Sequence, residues 1–241
     1  MRTNPNHFAM KIALLSVLLL PPVMANADLL NRNFSVAYEV SRDGFYIGDT
    51  VRSFKQLPDG NWQYMSLTTA KGLAGMIFHD TVRETSTFKQ TGNAIVPLSY
   101  LYDQSGGKKK SHYQIDFLWD KHVIHNSFEN KEFKLEPNAQ DLQTFQLQIM
   151  RDMQTHQNTM TYFIVDQKDA STYVLTQNGS TKIDTPYKRL ETIKLVSNKL
   201  KDNDQYRIWC APSLEFLPVR MQKVDAKGRT TEFVIKAFKL Q

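Results

Sequence analysis

The chain has 241 residues, with 30 lysines and arginines against 24 aspartates and glutamates, for a formal net charge of +6 at pH 7. The charges are scattered, and the basic residues form a cluster only at Lys108–Lys110. This pattern lacks the concentrated basic surface that nucleic-acid binding needs, so we predict no nucleic-acid partner.

The single cysteine, Cys210, excludes an internal disulfide. Free cysteine is among the most buried residue types, and Cys210 lies in an alternating stretch beside Trp209. We therefore predict that it is buried apolar filler. A reactive thiol and an intermolecular bridge are the alternatives.

The N-terminal 27 residues have the pattern of a secretory signal peptide. Arg2 and Lys11 give a positive start, Ile12–Leu20 is a nearly unbroken apolar run, and Ala25–Ala27 is a small-x-small cleavage site. The apolar run is too short to span a bilayer. We predict cleavage after Ala27 and a periplasmic location, with an uncleaved anchor as the alternative.

From residue 34 onward, short stretches of alternating apolar and polar residues are separated by turn residues, which is typical of antiparallel strands. Asp43-Gly44 and Asp225–Gly228 predict hairpin turns. Pro97 predicts an edge position or a bulge, because proline has no N–H for a strand ladder. The predicted strands are residues 34–40, 46–56, 62–69, 79–88, 95–102, 113–119, 122–128, 160–166, 172–177, 187–197, 206–210, 217–224 and 231–237.

One substantial helix is predicted at Asn138–Met153, with Asp141 as its N-terminal cap. Its apolar residues recur at spacings of three and four. They are Leu142, Phe145, Ile149 and Met153. A shorter helical turn is predicted at Lys71–Phe78.

Together these elements predict a mainly β fold. Open sheets of about thirteen strands usually curl or close. We therefore predict that residues 28–241 form a single domain, a large curved antiparallel sheet (a half-barrel or barrel) with one main α-helix packed across it.

Four segments carry a resemblance to a known family. They are YEVSRDGFYIGDTVRSF (38–54), GLAGMIF (72–78), TPYKRLETIKL (185–195) and IWCAPSLEFLPVRMQKVDAKGR (208–229). Because these four segments occur in this order, the chain resembles the uncharacterised bacterial envelope family called domain of unknown function 3108 (DUF3108). The resemblance covers residues 34–238. That family has no established catalytic residues, so the resemblance implies none here.

The C-terminal third also resembles the periplasmic lipoprotein carriers of the Lol pathway. The resemblance lies in a Thr-Pro strand followed by a Leu-Pro-Val-Arg hairpin, at Thr185-Pro186 and Leu217–Arg220. It implies a curved antiparallel sheet with a hydrophobic concave face.

The residues themselves predict no cofactor, no metal site and no catalytic group. His122 and His125 are spaced so that a strand directs them to opposite faces. Asp80 and Glu84 share one face and would be the first place to look for a pair of catalytic carboxylates, but we expect such residues to face solvent. Asn178-Gly179 is interpreted as a turn between strands.

The predicted strands contain many apolar and aromatic residues. The simplest explanation is that these residues pack into a core. The alternative is that the curved sheet leaves a ligand cavity beneath the helix. The predicted ligand-lining residues are Trp62, Tyr64, Phe117, Trp119, Phe145, Ile149 and Trp209.

The leading hypothesis is a non-enzymatic binding protein for a lipid, an acyl chain or a lipoprotein segment. The alternatives are a structural or interaction module with an envelope protein partner and, less favoured, an enzyme acting on envelope glycan.

Overall fold

The computed structural model describes residues 1, 28–72, 75, 81–107, 110–199 and 205–241. Within these residues fifteen strands form one sheet. The strands are β1 (Phe34–Arg42), β2 (Phe45–Gln56), β3 (Trp62–Ala70), β4 (Thr81–Thr91), β5 (Ala94–Ser105), β6 (Ser111–Leu118), β7 (Val123–Asn126), β8 (Lys131–Lys134), β9 (Ala139–Gln140), β10 (Thr159–Val165), β11 (Ala170–Ile183), β12 (Leu190–Lys199), β13 (Gln205–Ala211), β14 (Leu217–Val224) and β15 (Thr230–Leu240). The α-helix, α1, is Thr144–Gln154, and 3-10 turns lie at Leu29–Asn31, Trp119–Lys121, Phe128–Asn130 and Pro212–Leu214.

The strand order runs outward from the centre of the sheet in both directions. From β1 the order follows the chain to β8 at one edge, and from β15, which pairs with β1, it runs back to β9 at the other edge. Neighbouring strands are antiparallel except for β9 and β10, which are parallel. The prediction of a mainly β, antiparallel fold is confirmed.

The two edges of the sheet are close to each other. Fifteen strands laid flat at about 4.8 Å per neighbour would separate β8 from β9 by roughly 67 Å. Residues 135–138 join these strands, and such a link spans at most about 18 Å. The sheet is therefore curled, although it stays open because β8 and β9 are not paired.

Several boundaries agree with the sequence prediction. Asp43 and Gly44 have positive φ angles of 50° and 82°, as a two-residue hairpin turn requires. The strand at Leu217–Val224 has the predicted bounds. Pro97 lies opposite Phe88 at a bulge between β4 and β5, as predicted. Cys210 is buried, and burial raises the pKa of its thiol.

The predicted start of the helix was wrong. Ala139 and Gln140 pair with Phe163 and Ile164 as the short strand β9, so the helix begins only at Thr144. Strands β8 and β9, with four and two residues, are too short for alternation to reveal.

Two other predictions need correction. Asn178-Gly179 is not a turn between strands. It forms a bulge inside β11. The bulge lies between Gln177, which pairs with Leu195 of β12, and Ser180, which pairs with Ile193 of β12. Trp119, predicted to continue the inward face of a strand, instead begins a 3-10 turn.

Two predictions fall on residues outside the described ranges. The predicted signal peptide, residues 1–27, lies outside them except for Met1, and most of the predicted helical turn at 71–78 is likewise outside. Of that turn, one helical hydrogen bond is described, from Gly75 N–H to Lys71 C=O at 3.1 Å. In the described part of the chain, no helix combines the length and apolar character needed to cross a membrane.

The buried side chains form three clusters. The first contains Phe34, Phe54, Tyr64 and Phe88, the second centres on β10–β13, and the third joins β5–β7 to Ala139, Val165 and Ala170. Helix α1 supplies residues to two of them. Leu147 and Met150 lie in the first cluster, and Ile149 and Met153 lie in the second.

Candidate functional site

A cleft of about 300 Å³ lies between the start of α1 and strands β2, β4, β13, β14 and β15. We call it the central cleft. Its apolar lining consists of Leu142, Phe145, Ile208, Met221 and Phe233. Its polar lining includes Arg52, Glu84, Gln143 and Gln146.

A second and much smaller recess of about 20 Å³, the apolar extension, adjoins the central cleft. The two share Leu142, Phe145, Tyr206 and Ile208. Beyond these shared residues the extension is lined by Ile164, Tyr173, Leu175 and Ser197. The combined recess therefore has a polar end at β2 and β4 and an apolar end at β10–β12.

Arg52 is the most unusual residue of the central cleft. It lies between Thr50 and Phe54 on the inward face of β2, and only 4% of it is exposed. Its guanidinium lies 4.9 Å from the Tyr38 ring centre and 5.7 Å from the Phe233 ring centre.

The polar contacts of Arg52 are with neutral groups. Its Nη1 donates to Oε1 of Gln146 and lies 3.8 Å from Sδ of Met221. Its Nε has no hydrogen-bond partner, and among the described residues it forms no ion pair with a carboxylate.

Arg52 nevertheless keeps its charge. Burial lowers the pKa of the guanidinium, but Tyr64, Tyr38 and Glu84 raise it, and the net pKa is above its ordinary value. The cleft therefore contains a permanent buried cation.

Glu84 also lines the central cleft and is half-buried, so the expectation that it faces solvent was wrong. Its Oε1 accepts a hydrogen bond of 2.7 Å from the hydroxyl of Tyr100. Burial and the charge of Glu84 raise the pKa of Tyr100, so this phenol remains a donor. Asp80, considered with Glu84 as a carboxylate pair, lies outside the described residues.

Asp141 holds the start of α1 in place next to the cleft-lining residues Leu142 and Gln143. Its Oδ1 accepts the backbone N–H groups of Gln143 (2.7 Å) and Thr144 (2.9 Å) and the hydroxyl of Ser86 (2.7 Å). Asp141 therefore caps these N–H groups with its side chain, as predicted, although the residue directly before the helix is Gln143. Burial raises the pKa of Asp141 to about 6, and Oδ2 has no partner among the described residues.

A third recess of about 350 Å³, the seam cavity, lies where β5 approaches β9 and β10. Strand β6 pairs with β5 only over Ser99–Gln104, so the first half of β5 lacks a neighbour on that side. The side chains of Gln148, Gln140 and Trp119 supply hydrogen bonds to this stretch instead.

The seven predicted ligand-lining residues are not brought together. Trp62, Tyr64 and Trp209 lie in or against the first buried cluster, Ile149 lies in the second and Phe117 in the third. Phe145 lines the central cleft, and Trp119 lines the seam cavity. Their role in ligand binding stays a prediction.

Three residues of the central cleft were not predicted from the sequence: Arg52, Met221 and Phe233. A signal was present for Arg52, because strand alternation puts this charged residue on the same face as Phe54. For metals, the described residues contain no group of three histidine, cysteine, aspartate or glutamate side chains placed to hold an ion.

A family model described as "Protein of unknown function (DUF3108)" matches residues 33–234. The chain belongs to the DUF3108 family. The resemblance inferred from the four sequence segments is thereby confirmed. No curated protein matches this DUF3108 chain.

Solved structures similar to the DUF3108 chain include a β-barrel-like protein of the domain of unknown function DUF1849 from Brucella abortus. The TM-score is 0.57 at 6% identity, covering 87% of this chain and 98% of that one. At this identity the similarity shows a shared barrel-like fold and nothing about activity.

Two further structures are more distant from the DUF3108 chain. One is MucB, with a TM-score of 0.37, 12% identity and coverage of 87% of this chain and 54% of that one. The other is a lipoprotein described as putative, from Parabacteroides distasonis, with a TM-score of 0.33, 10% identity and coverage of 86% and 95%.

Proposed function

We propose that this DUF3108 chain is a non-enzymatic binding protein for a hydrophobic ligand that carries an acyl chain. The ligand occupies the central cleft and the apolar extension. The observation that carries the proposal is the central cleft of about 300 Å³, which shares the lining residues Leu142, Phe145, Tyr206 and Ile208 with the small apolar extension. Concave sites with mostly apolar walls and a few polar groups are the usual form of small-molecule sites.

The proposal includes an architecture in which α1 lies across the concave face of the curled sheet and forms one wall of the recess. Its support is that α1 contributes to two buried clusters and has a wide buried surface. Gln146 and Gln148 also hydrogen-bond to Arg52 on β2 and Ile95 on β5. The ligand then binds between the helix and the sheet.

The driving force is removal of the acyl chain from water. Each buried methylene contributes on the order of 0.8 kcal/mol. From the predicted signal peptide at residues 1–27 we infer that this binding takes place in the periplasm, with a lipid or a lipoprotein segment as the ligand. This location is part of the proposal.

The second candidate is a structural or interaction module of an envelope complex. The observation that favours it is that much of the first cluster is solidly filled by aromatic rings. Phe54, for example, has the rings of Phe34 and Trp62 both 4.9 Å away. A module of this kind needs no ligand in its recess and would instead bind an envelope protein.

The test is ligand binding by delipidated protein. Fluorescent fatty acids and envelope phospholipids are titrated into the wild type, into Phe145→Asn and into Leu118→Asn. Phe145 lines both recesses, whereas Leu118 is 37% exposed and outside them. We expect the wild type and Leu118→Asn to bind alike and Phe145→Asn to bind at least about tenfold more weakly, the loss of roughly two buried methylenes.

Binding no stronger than that of an unrelated soluble protein would overturn the proposal. Equal binding by both variants and the wild type would show that the ligand binds at another surface, and this result would also contradict the proposal.

A further inference from the structure

We propose that Arg52 recognises the headgroup of the ligand and that this headgroup is a single carboxylate on an aliphatic chain. The inference rests on the proposed function, since it assigns chemistry to the same recess.

A buried guanidinium without an anion is costly to maintain. Charged groups are normally buried only when they are paired and fully hydrogen-bonded. Arg52 is 4% exposed, contacts only neutral groups through hydrogen bonds, and leaves Nε without a partner. The rings of Tyr38 and Phe233 offset part of this cost through cation–π interaction.

Arg52 reaches the cleft with its Nη1 engaged by Gln146 and its Nε buried. The Arg52 side chain lines the central cleft directly, and the planar guanidinium suits a carboxylate, which accepts two parallel N–H bonds. An entering carboxylate would provide the missing anionic partner by replacing the Gln146 side chain at Nη1 of Arg52.

The other charges of the cleft favour a monoanion. Its charged lining consists of Arg52, Lys223, Glu84 and Asp166. Glu84 is held by Tyr100 at 2.7 Å and is not within ion-pairing distance of Arg52. With two basic and two acidic side chains, this lining has no net positive charge to offset the cost of burying a second negative charge on the headgroup.

The position of Arg52 also sets the direction of the chain. Arg52 lines the polar end of the recess, whereas Ile164 and Leu175 line the apolar extension at the other end. Leu142, Phe145 and Ile208 connect the two. A linear amphiphile with its carboxylate on Arg52 therefore extends its aliphatic chain toward β10–β12.

The test compares ligands that share one chain and differ in the headgroup: dodecanoate, dodecanol, dodecylamine and dodecyl phosphate, each below its micelle concentration. Affinities for delipidated wild type are measured by displacement of a neutral fluorescent probe. We expect dodecanoate to bind about tenfold to a hundredfold more tightly than dodecanol, the range of a charge-assisted hydrogen bond. We expect dodecylamine and dodecyl phosphate to bind more weakly than dodecanoate.

The matched variants are Arg52→Met, Arg52→Lys and Glu84→Gln. Arg52→Met should lose the preference for dodecanoate over dodecanol, measured as the ratio of the two affinities within the variant. Arg52→Lys keeps the charge without the planar fork and should keep only part of the preference. Glu84→Gln removes a negative charge from the cleft and should tighten dodecanoate binding.

Arg52→Met should also remain folded, because replacing an unpaired buried charge by an apolar side chain is often neutral or stabilising. Its unfolding is followed by chemical denaturation as a control. The headgroup series on the wild type needs no variant and is informative whatever the stability of Arg52→Met.

Two failures are distinguishable. If dodecanoate and dodecanol bind the wild type equally, or if dodecyl phosphate binds most tightly, the assignment of a carboxylate to Arg52 is overturned while the binding function stands. If no member of the series binds, the proposed function itself fails, and this inference fails with it.

Discussion

Gln148 on α1 accepts the backbone N–H of Ile95 on β5 at 2.7 Å, in place of the strand that β5 lacks there. Gln140 donates to the C=O of the same residue at 2.9 Å. Backbone polar groups that are buried without partners are costly. The two glutamines therefore satisfy the open stretch of β5 and connect it to the helix and to β9.

Replacing Gln148 by leucine should destabilise the protein by about 1–3 kcal/mol, because the Ile95 N–H loses its partner. The exposed Gln114 hydrogen-bonds to the side chain of Asp116 and provides the control Gln114→Leu, expected to change stability by less than about 0.5 kcal/mol. Chemical denaturation measures both effects, and hydrogen exchange at the Ile95 amide should become faster only in Gln148→Leu. Unchanged exchange at Ile95 would show that another group takes over this role.

The buried carboxyl of Asp141 should make the stability depend on pH. Its pKa in the folded protein is raised to about 6, above its value in the unfolded chain of about 3.9. The folded state therefore binds more protons between these values, and the contribution of Asp141 to stability falls as the pH rises through this window.

Asp141→Asn removes this titration while keeping an oxygen that accepts the capping hydrogen bonds. Relative to the wild type, the variant should gain roughly 2–3 kcal/mol of stability between pH 4 and pH 7. Urea denaturation of both proteins at these two pH values measures the change, and all other titrating groups cancel in the comparison. A constant difference across the range would mean that Asp141 does not titrate there.

Phe54 should be one of the most sensitive positions of the first cluster. It is fully buried, and the rings of Phe34, Trp62, Tyr64 and Phe88 lie within 4.9–6.2 Å of it. Phe54→Ala should cost about 3–5 kcal/mol through lost burial and the cavity left behind. Val51→Ala on the opposite face of β2, where 48% of the side chain is exposed, should cost less than about 0.5 kcal/mol. Thermal and urea unfolding measure both variants. Equal stability of the two would contradict the assignment of Phe54 as a sensitive core position.

Asp49 on the outward face of β2 lies between two lysines. Its oxygens are 2.5 Å from Nζ of Lys236 and 2.7 Å from Nζ of Lys71. Burial raises the pKa of Asp49. The hydrogen bonds from Lys236 and Lys71 lower this pKa by more than burial raises it, so the net pKa is below its ordinary value. The stability that this lowered pKa confers is present above the ordinary pKa of aspartate and is lost as the pH falls through the lowered one.

Lys236→Met should therefore reduce stability by about 1 kcal/mol at pH 7, a modest value because both lysines are partly exposed. The difference from the wild type should shrink toward zero near pH 2. Lys239→Met, on the same strand, serves as the control and should show no such convergence. Denaturation curves at the two pH values decide the outcome.

The sequence predicted those parts of the fold that local chemistry determines. The alternation at Leu217–Val224 and the Asp43-Gly44 turn require only neighbouring residues, and both predictions were confirmed. The position of β9 depends on a distant partner, β10, and the Asn178-Gly179 bulge depends on the register with β12. No local pattern contains that information.

The candidate site was predicted least well, for a related reason. Aromatic residues such as Tyr64 and Phe117 were sensible candidates, but the curl of the sheet distributes them among separate clusters. The cleft itself is defined by α1 meeting strands from both halves of the sheet. Arg52 was detectable as a charge on an apolar face, but its lack of a carboxylate partner became evident only in three dimensions.

The pairing of β1 with β15 has a consequence for the nascent chain. Strand β1 is synthesised well before β15, so one of its edges has no partner until residues 230–240 have been made. Throughout that delay, a long row of free backbone groups is available to any other extended polypeptide. A cell that makes this protein therefore has to keep its half-made copies apart, or hold them unfolded, until the last strand arrives.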